Sequence, residues 1–105
     1  MTQARILVVE DDNGLREALV DTLLLGGYEC READSGERAL LALSRQSFDM
    51  VISDIQMGGM DGLTLLAAIR QQYPQIPVLL MTAYANIDGA VRAMREGAID
   101  YLAKP

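Results

Sequence analysis

Short aliphatic runs alternate with amphipathic stretches along the chain, and this alternation restricts the fold more than any other feature. Ile6-Leu-Val-Val9, Met50-Val-Ile52 and Val78-Leu-Leu-Met81 lack polar alternation, the pattern of strands buried on both faces. Two weaker strand candidates are Tyr28 to Ala33, after the Gly26-Gly27 pair, and Tyr101 to Ala103. Helical periodicity fills the gaps. Leu15, Ala18, Leu19, Thr22 and Leu23 recur on one stripe that the glycine pair stops. Ser35 is placed to cap a helix burying Ala39, Leu40 and Leu43. Leu63, Leu66, Ala67 and Arg70 mark a third helix closed by Pro74. Asn86 can cap a fourth, with Ile87, Ala90, Val91 and Met94 on one stripe and Gly97 at its end. The resulting order, β-α-β-α-β-α-β-α-β, calls for an α/β fold: a doubly wound five-stranded parallel sheet with right-handed crossovers and helices on both faces. Such sheets place their sites at the carboxyl ends of the strands.

Composition removes several classes of function. The chain has 105 residues, the size of one domain. With no histidine and a single cysteine, Cys30, it has no Ser-His-Asp or Cys-His nucleophile system, histidine metal site, cysteine zinc cluster or internal disulfide. A net charge of −6 opposes the basic face that a nucleic-acid-binding domain needs. The apolar runs are too short to span a membrane. Met1-Thr-Gln-Ala-Arg5 passes directly into strand-like sequence without a charged-then-apolar leader, so a cytoplasmic protein is expected.

Each strand end that the alternation defines carries chemistry. The first strand runs into Glu10-Asp11-Asp12, the third into Ser53-Asp54, the fourth into Thr82-Ala83 and the fifth into Lys104, the only lysine in the chain. Taken singly these residues are unremarkable. Acids after a strand often cap the next helix, where the positive end of its dipole favours them, and Asp12 suits that role better than a ligand role. Thr82 alone reads as a strand-end residue and Lys104 alone as a solvated charge. Jointly they put carboxylates, a hydroxyl and an ammonium at one end of the sheet. Two carboxylates about 4 Å apart repel by roughly 4 kcal/mol at an effective dielectric near 20, so the cluster needs a proton, a cation or a metal. Lys104 supplies one charge, and hard oxygen donors without histidine or cysteine select Mg²⁺ over zinc. An aspartate beside Mg²⁺ and a lysine can attack phosphorus, which makes Asp54 a candidate phosphoryl acceptor and Thr82 a donor to a phosphoryl oxygen.

These motifs carry a resemblance. Val9-Glu10-Asp11-Asp12, Ser53-Asp54 through Met57 and Met60-Asp61-Gly62, Met81-Thr82-Ala83-Tyr84 and Asp100-Tyr101 through Lys104-Pro105 together resemble the receiver domain of a bacterial two-component response regulator, a flavodoxin-like fold. The segment from Thr82-Ala-Tyr84 through Asp88, Ala90-Val91, Ala93, Gly97-Ala98 and Asp100-Tyr101 is most similar to the subgroup controlling sigma-54-dependent activators. Leu15 to Leu23 with Leu79 to Tyr84 looks closest to its flagellar regulators.

The resemblance implies a phosphoacceptor module rather than an enzyme, with Asp54 phosphorylated by a partner sensor histidine kinase. It also implies that Asp11, Asp54 and the backbone carbonyl of Gln56 hold Mg²⁺, with Glu10 acting through water. Thr82 and Lys104 would hold the phosphoryl oxygens, and Tyr101 would turn inward as Thr82 moves. Gln56 and Tyr84, two residues beyond Asp54 and Thr82, are expected to flank the pocket mouth, Tyr84 obstructing the in-line path.

Three departures from the family pattern stand out. Glu10 replaces an aspartate. Gly58 replaces a proline and, with Gly59, makes a flexible pair expected to loosen the metal site. The chain also stops at Pro105, where the family continues into a last helix. That implies a single receiver domain over residues 1–105, truncated before its final helix and without output domains. The uncovered face behind Tyr101 and Leu102 would then favour a homodimer through the fourth helix and fifth strand.

Two rivals share parts of the pattern. A haloacid-dehalogenase-type phosphatase needs a second aspartate where Gln56 stands. A pseudo-receiver would use the same fold only as an interaction module. FMN binding is opposed by the acids that follow the first strand.

Overall fold

The structure is a computed structural model describing residues 3–104; Met1, Thr2 and Pro105, including the proline of the Lys104–Pro105 motif, lie outside the described residues. Five strands, β1 (Arg5–Val9), β2 (Glu29–Ala33), β3 (Met50–Asp54), β4 (Val78–Thr82) and β5 (Asp100–Ala103), alternate with four helices, α1 (Asn13–Leu25), α2 (Gly36–Arg45), α3 (Gly62–Gln72) and α4 (Ile87–Arg95). All strand pairs are parallel, in the order β2-β1-β3-β4-β5. The expected α/β class and doubly wound parallel sheet are therefore present. Beyond the strands the ladder continues: Glu10 N donates to Ala33 O, Ile55 N to Met81 O and Lys104 N to Thr82 O, at 3.1, 2.8 and 2.9 Å. These bonds hold the residues just past β1, β3 and β5 in register.

Side chains cap every helix. Asp12, Ser35, Asp61 and Asn86 accept from the backbone N–H of Leu15, Arg38, Thr64 and Gly89, satisfying donors that each first turn leaves free. Asp12 is thus a cap, as its position predicts. Gly97 ends α4 with φ +102°, a left-handed conformation that costs glycine little.

One face of the sheet packs against α2, α3 and α4 through Leu7, Val9, Val51, Val78 and Leu80. The other, with Ile6, Val8, Ile52 and Met81, is covered by Leu19, Val20 and Leu23 of α1. Three helical stripes differ from expectation. In α1 every residue keeps some solvent contact, and Ala18 and Thr22 are exposed. The inward side is Leu15, Leu19, Val20 and Leu23, because α1 meets the sheet along one line. In α3 the buried residues are Gly62, Leu65, Leu66 and Ile69, whereas Ala67 is exposed. Its apolar run is nearly continuous, so packing rather than periodicity chose the face. In α4 the expected stripe points outward: Ile87, Val91 and Met94 are 82, 45 and 49% exposed. Ala93 is the buried side chain of that helix, since small residues let α4 approach β5.

Candidate functional site

Backbone geometry delivers the candidate residues to one end of the sheet. Glu10 follows β1, Asp54 and Thr82 end β3 and β4, and Lys104 follows β5. β1, β3, β4 and β5 are consecutive neighbours in the sheet, so side chains remote in sequence converge. Asp54 lies inside its strand, two residues beyond the run expected from sequence, and pairs in register with Met81. Gly62 opens α3 directly over this strand end. A Cβ there would collide with the Asp54 carbonyl oxygen, so the close approach of α3 requires glycine.

Glu10, Asp54 and Thr82 are buried, at 0, 1 and 1% exposure. One ammonium joins two of them: Lys104 Nζ lies 2.7 Å from Glu10 Oε1 and 2.8 Å from Asp54 Oδ2. Burial opposes the charged ammonium, but acceptance by Asp54 and then Glu10 outweighs it, and the Lys104 pKa is raised. Burial also pushes the Glu10 carboxyl up. The Lys104 hydrogen bond offsets part of that shift, and neighbouring Asp54 adds to it. Asp11 completes the group, with carboxylate oxygens of Glu10, Asp11 and Asp54 all within 4.8 Å of one another.

The second carboxylate oxygen of Asp54 accepts from the backbone N–H of Gln56 at 3.2 Å. Asp11 Oδ2 accepts from Gly58 N at 3.3 Å, a bond that the proline expected at this position could not make. Gly58 also has open space around its missing side chain and an ordinary φ, whereas Gly59 sits at φ +76°. The expected flexible pair is therefore one conformational glycine, Gly59, beside an N–H donor to the acidic group.

Thr82 Oγ1 donates to Gln56 Oε1 at 2.7 Å and accepts from Tyr84 N at 3.0 Å. Tyr84 is 74% exposed, and its backbone N–H is the group it gives to Thr82. Tyr101 is half-buried, and its hydroxyl accepts from Asn86 N at 3.4 Å at the start of α4. Gly89 leaves room for it, since a Cβ there would lie 2.6 Å from the Tyr101 oxygen.

Sequence reasoning missed Arg16. Its guanidinium donates to the Glu10 carbonyl at 2.7 Å, to Glu32 at 3.1 Å and to Asn13 at 2.6 Å, tying the first turn of α1 to the acidic loop. Spacing gives no signal for it, because Glu10 and Glu32 meet only across the β1–β2 edge.

Three carboxylates cluster here and one ammonium pairs with two of them, Glu10 and Asp54, while Asp11 accepts from a backbone N–H. That excess of hard anionic oxygen suits a divalent cation of the Mg²⁺ type. A buried carboxylate held by a lysine, with a hydroxyl on the adjacent strand end, is also equipped to take an electrophile bearing anionic oxygens.

Comparison with known proteins agrees with this geometry. The profile of the response regulator receiver domain matches residues 6–105. Response regulator protein FleR of Pseudomonas aeruginosa is 62% identical over 102 residues, covering 97% of this chain and 22% of FleR. DNA-binding transcriptional regulator NtrC of Salmonella typhimurium is 43% identical over 105 residues, covering 100% of this chain and 22% of NtrC. The chain thus spans about a fifth of the length of these relatives. Among solved structures, Vibrio cholerae chemotaxis protein CheY4 superposes with TM-score 0.94 at 32% identity, over 99% of this chain and 88% of that one. Thermotoga maritima response regulator TrrA, in complex with Mg²⁺-BeF, superposes with TM-score 0.89 at 35% identity, over 98% and 88%. Among the described residues, no helix is long and apolar enough to cross a membrane.

Proposed function

The chain belongs to the response regulator receiver domain family, and from that premise we propose that it accepts a phosphoryl group on Asp54 from a partner histidine kinase. The observation that carries the reading is the Lys104 bridge, one ammonium on the buried carboxylates of both Glu10 and Asp54 beside Asp11. An Asp54 oxygen attacks phosphorus: the O–P bond forms, the bond from phosphorus to the donor imidazole nitrogen breaks, and its electron pair leaves with that nitrogen. The donor histidine lies outside these 105 residues, which contain none.

Asp11, Asp54 and the Gln56 backbone carbonyl would hold Mg²⁺, with Glu10 acting through water. Bound there, the ion supplies charge neutralisation for the oxygens of the transferring group. Lys104 holds one phosphoryl oxygen and Thr82 donates its hydroxyl to another. That movement of Thr82 draws Tyr101 inward and alters the α4–β5 face, where Ile87, Val91, Met94 and Leu102 are exposed. A second copy docking on this face would transmit the change.

Similarity to FleR and NtrC supports a transcriptional output, of the sigma-54-dependent type and directed at flagellar genes, in a cytoplasmic protein. The test is intact mass after incubation with Mg²⁺ and a small phosphodonor. The parent should gain one phosphoryl group and Asp54→Asn none. Equal labelling of the variant would refute Asp54 as acceptor. An unlabelled parent would favour the alternative, a pseudo-receiver used only as an interaction module.

A further inference from the structure

Gln56 enters the reading above only through its backbone, yet its side chain makes a short, specific contact with the switch hydroxyl. We propose that the Gln56 carboxamide latches Thr82 in the resting state and thereby sets how readily the phosphoryl-bound state forms. The proposal rests on the phosphoacceptor reading.

A threonine hydroxyl has one proton to give and two lone pairs. One lone pair of Thr82 accepts from Tyr84 N at 3.0 Å, and the proton goes to Gln56 Oε1 at 2.7 Å, the usual length of a well-formed O–H···O bond. Thr82 is 1% exposed while Gln56 is exposed, so the bond is part-buried, its hydroxyl end inside the fold and its carboxamide end at the surface. The same proton cannot serve Gln56 and a phosphoryl oxygen together, so engaging the phosphoryl group requires breaking the Gln56 contact.

The latch is carried by the acceptor's own loop. Gln56 N donates to Asp54 Oδ1 at 3.2 Å, so acceptor and latch share one backbone segment, and the side chain crosses from the end of β3 to the end of β4. A purely structural role would make Gln56 stabilise both states alike. A latch stabilises only the resting one, so its removal should move stability and ligand affinity in opposite directions.

The experiment measures thermal unfolding without ligand and affinity for Mg²⁺ with beryllofluoride, a phosphoryl stand-in, in the parent, Gln56→Leu, Gln56→Glu, Thr82→Val and the double variant Gln56→Leu/Thr82→Val. Gln56→Leu should unfold at lower temperature and bind the probe about fivefold more tightly, the net worth of one hydrogen bond. Gln56→Glu, which keeps an acceptor, should not show that gain. In the Thr82→Val background Gln56→Leu should leave probe affinity unchanged. Unchanged or weaker binding by Gln56→Leu, or the same gain with Thr82→Val, would overturn the latch. If the parent itself neither binds the probe nor gains a phosphoryl group on Asp54, the phosphoacceptor reading fails and takes the latch with it. A parent that does both isolates any failure to the latch.

Discussion

Lys104→Met removes the one positive charge that joins Glu10 and Asp54 while roughly preserving side-chain volume. It leaves carboxylates at 0 and 1% exposure without their cation. Breaking a buried ion pair from one side costs about 3–5 kcal/mol. The Lys104 side chain is 15% exposed, so the lower figure, about 3 kcal/mol, is expected. Coulomb repulsion between the stranded carboxylates agrees in size: their oxygens lie within 4.8 Å of each other, which at an effective dielectric near 20 gives at least roughly 3.5 kcal/mol. Against a domain stability of about 5–15 kcal/mol, that lowers Tm by on the order of 10–20 °C.

The loss should follow pH, read by urea unfolding of parent and variant side by side. The Glu10 pKa is raised, chiefly by burial, so acidification toward that value neutralises Glu10 and shrinks the difference. The Lys104 pKa is raised in the fold, so its contribution is fully present below 10.5, the ordinary lysine value. It is lost as pH climbs through the higher folded value, where the parent converges on the variant. Adding Glu10→Gln to Lys104→Met should restore most of the stability near neutrality. A deficit that is absent near neutrality, or identical at every pH, would refute the charge argument.

Gly58→Ala should be neutral or stabilise by about 0.4–1 kcal/mol, because nothing lies within 4 Å of its Cβ position, while Gly59→Ala, at φ +76° beside Glu37, should cost about 1–2 kcal/mol; chemical denaturation of both variants checks the contrast. Asp12→Ala should lose about 1 kcal/mol of stability as a cap with Mg²⁺ affinity retained. Asp11→Asn should do the reverse, losing Mg²⁺ affinity in a metal titration with little change in unfolding, and equal effects of the two on metal binding would contradict the assignment of Asp12 as a cap.

Residue order alone made the alternation of strands and helices, the capping roles of Asp12, Ser35 and Asn86, and the convergence of Glu10, Asp11, Asp54, Thr82 and Lys104 readable. These are short-range or topological signals. An unbroken aliphatic run such as Ile6 to Val9 suits a strand buried on both faces, and parallel β-α-β connections bring strand carboxyl ends to one edge. Three-dimensional packing decided the rest. The outward turn of Ile87, Val91 and Met94 and the choice of Leu65 over Ala67 in α3 depend on which neighbour each helix meets, and hydropathy periodicity does not encode the neighbour. The Arg16 clamp on the Glu10 carbonyl, the Gly58 N–H on Asp11 and the Gln56 bond to Thr82 join groups far apart in the chain, or backbone atoms that every residue shares. Their directional bonds require separations near 3 Å, and only the register of the folded sheet brings those atoms within reach.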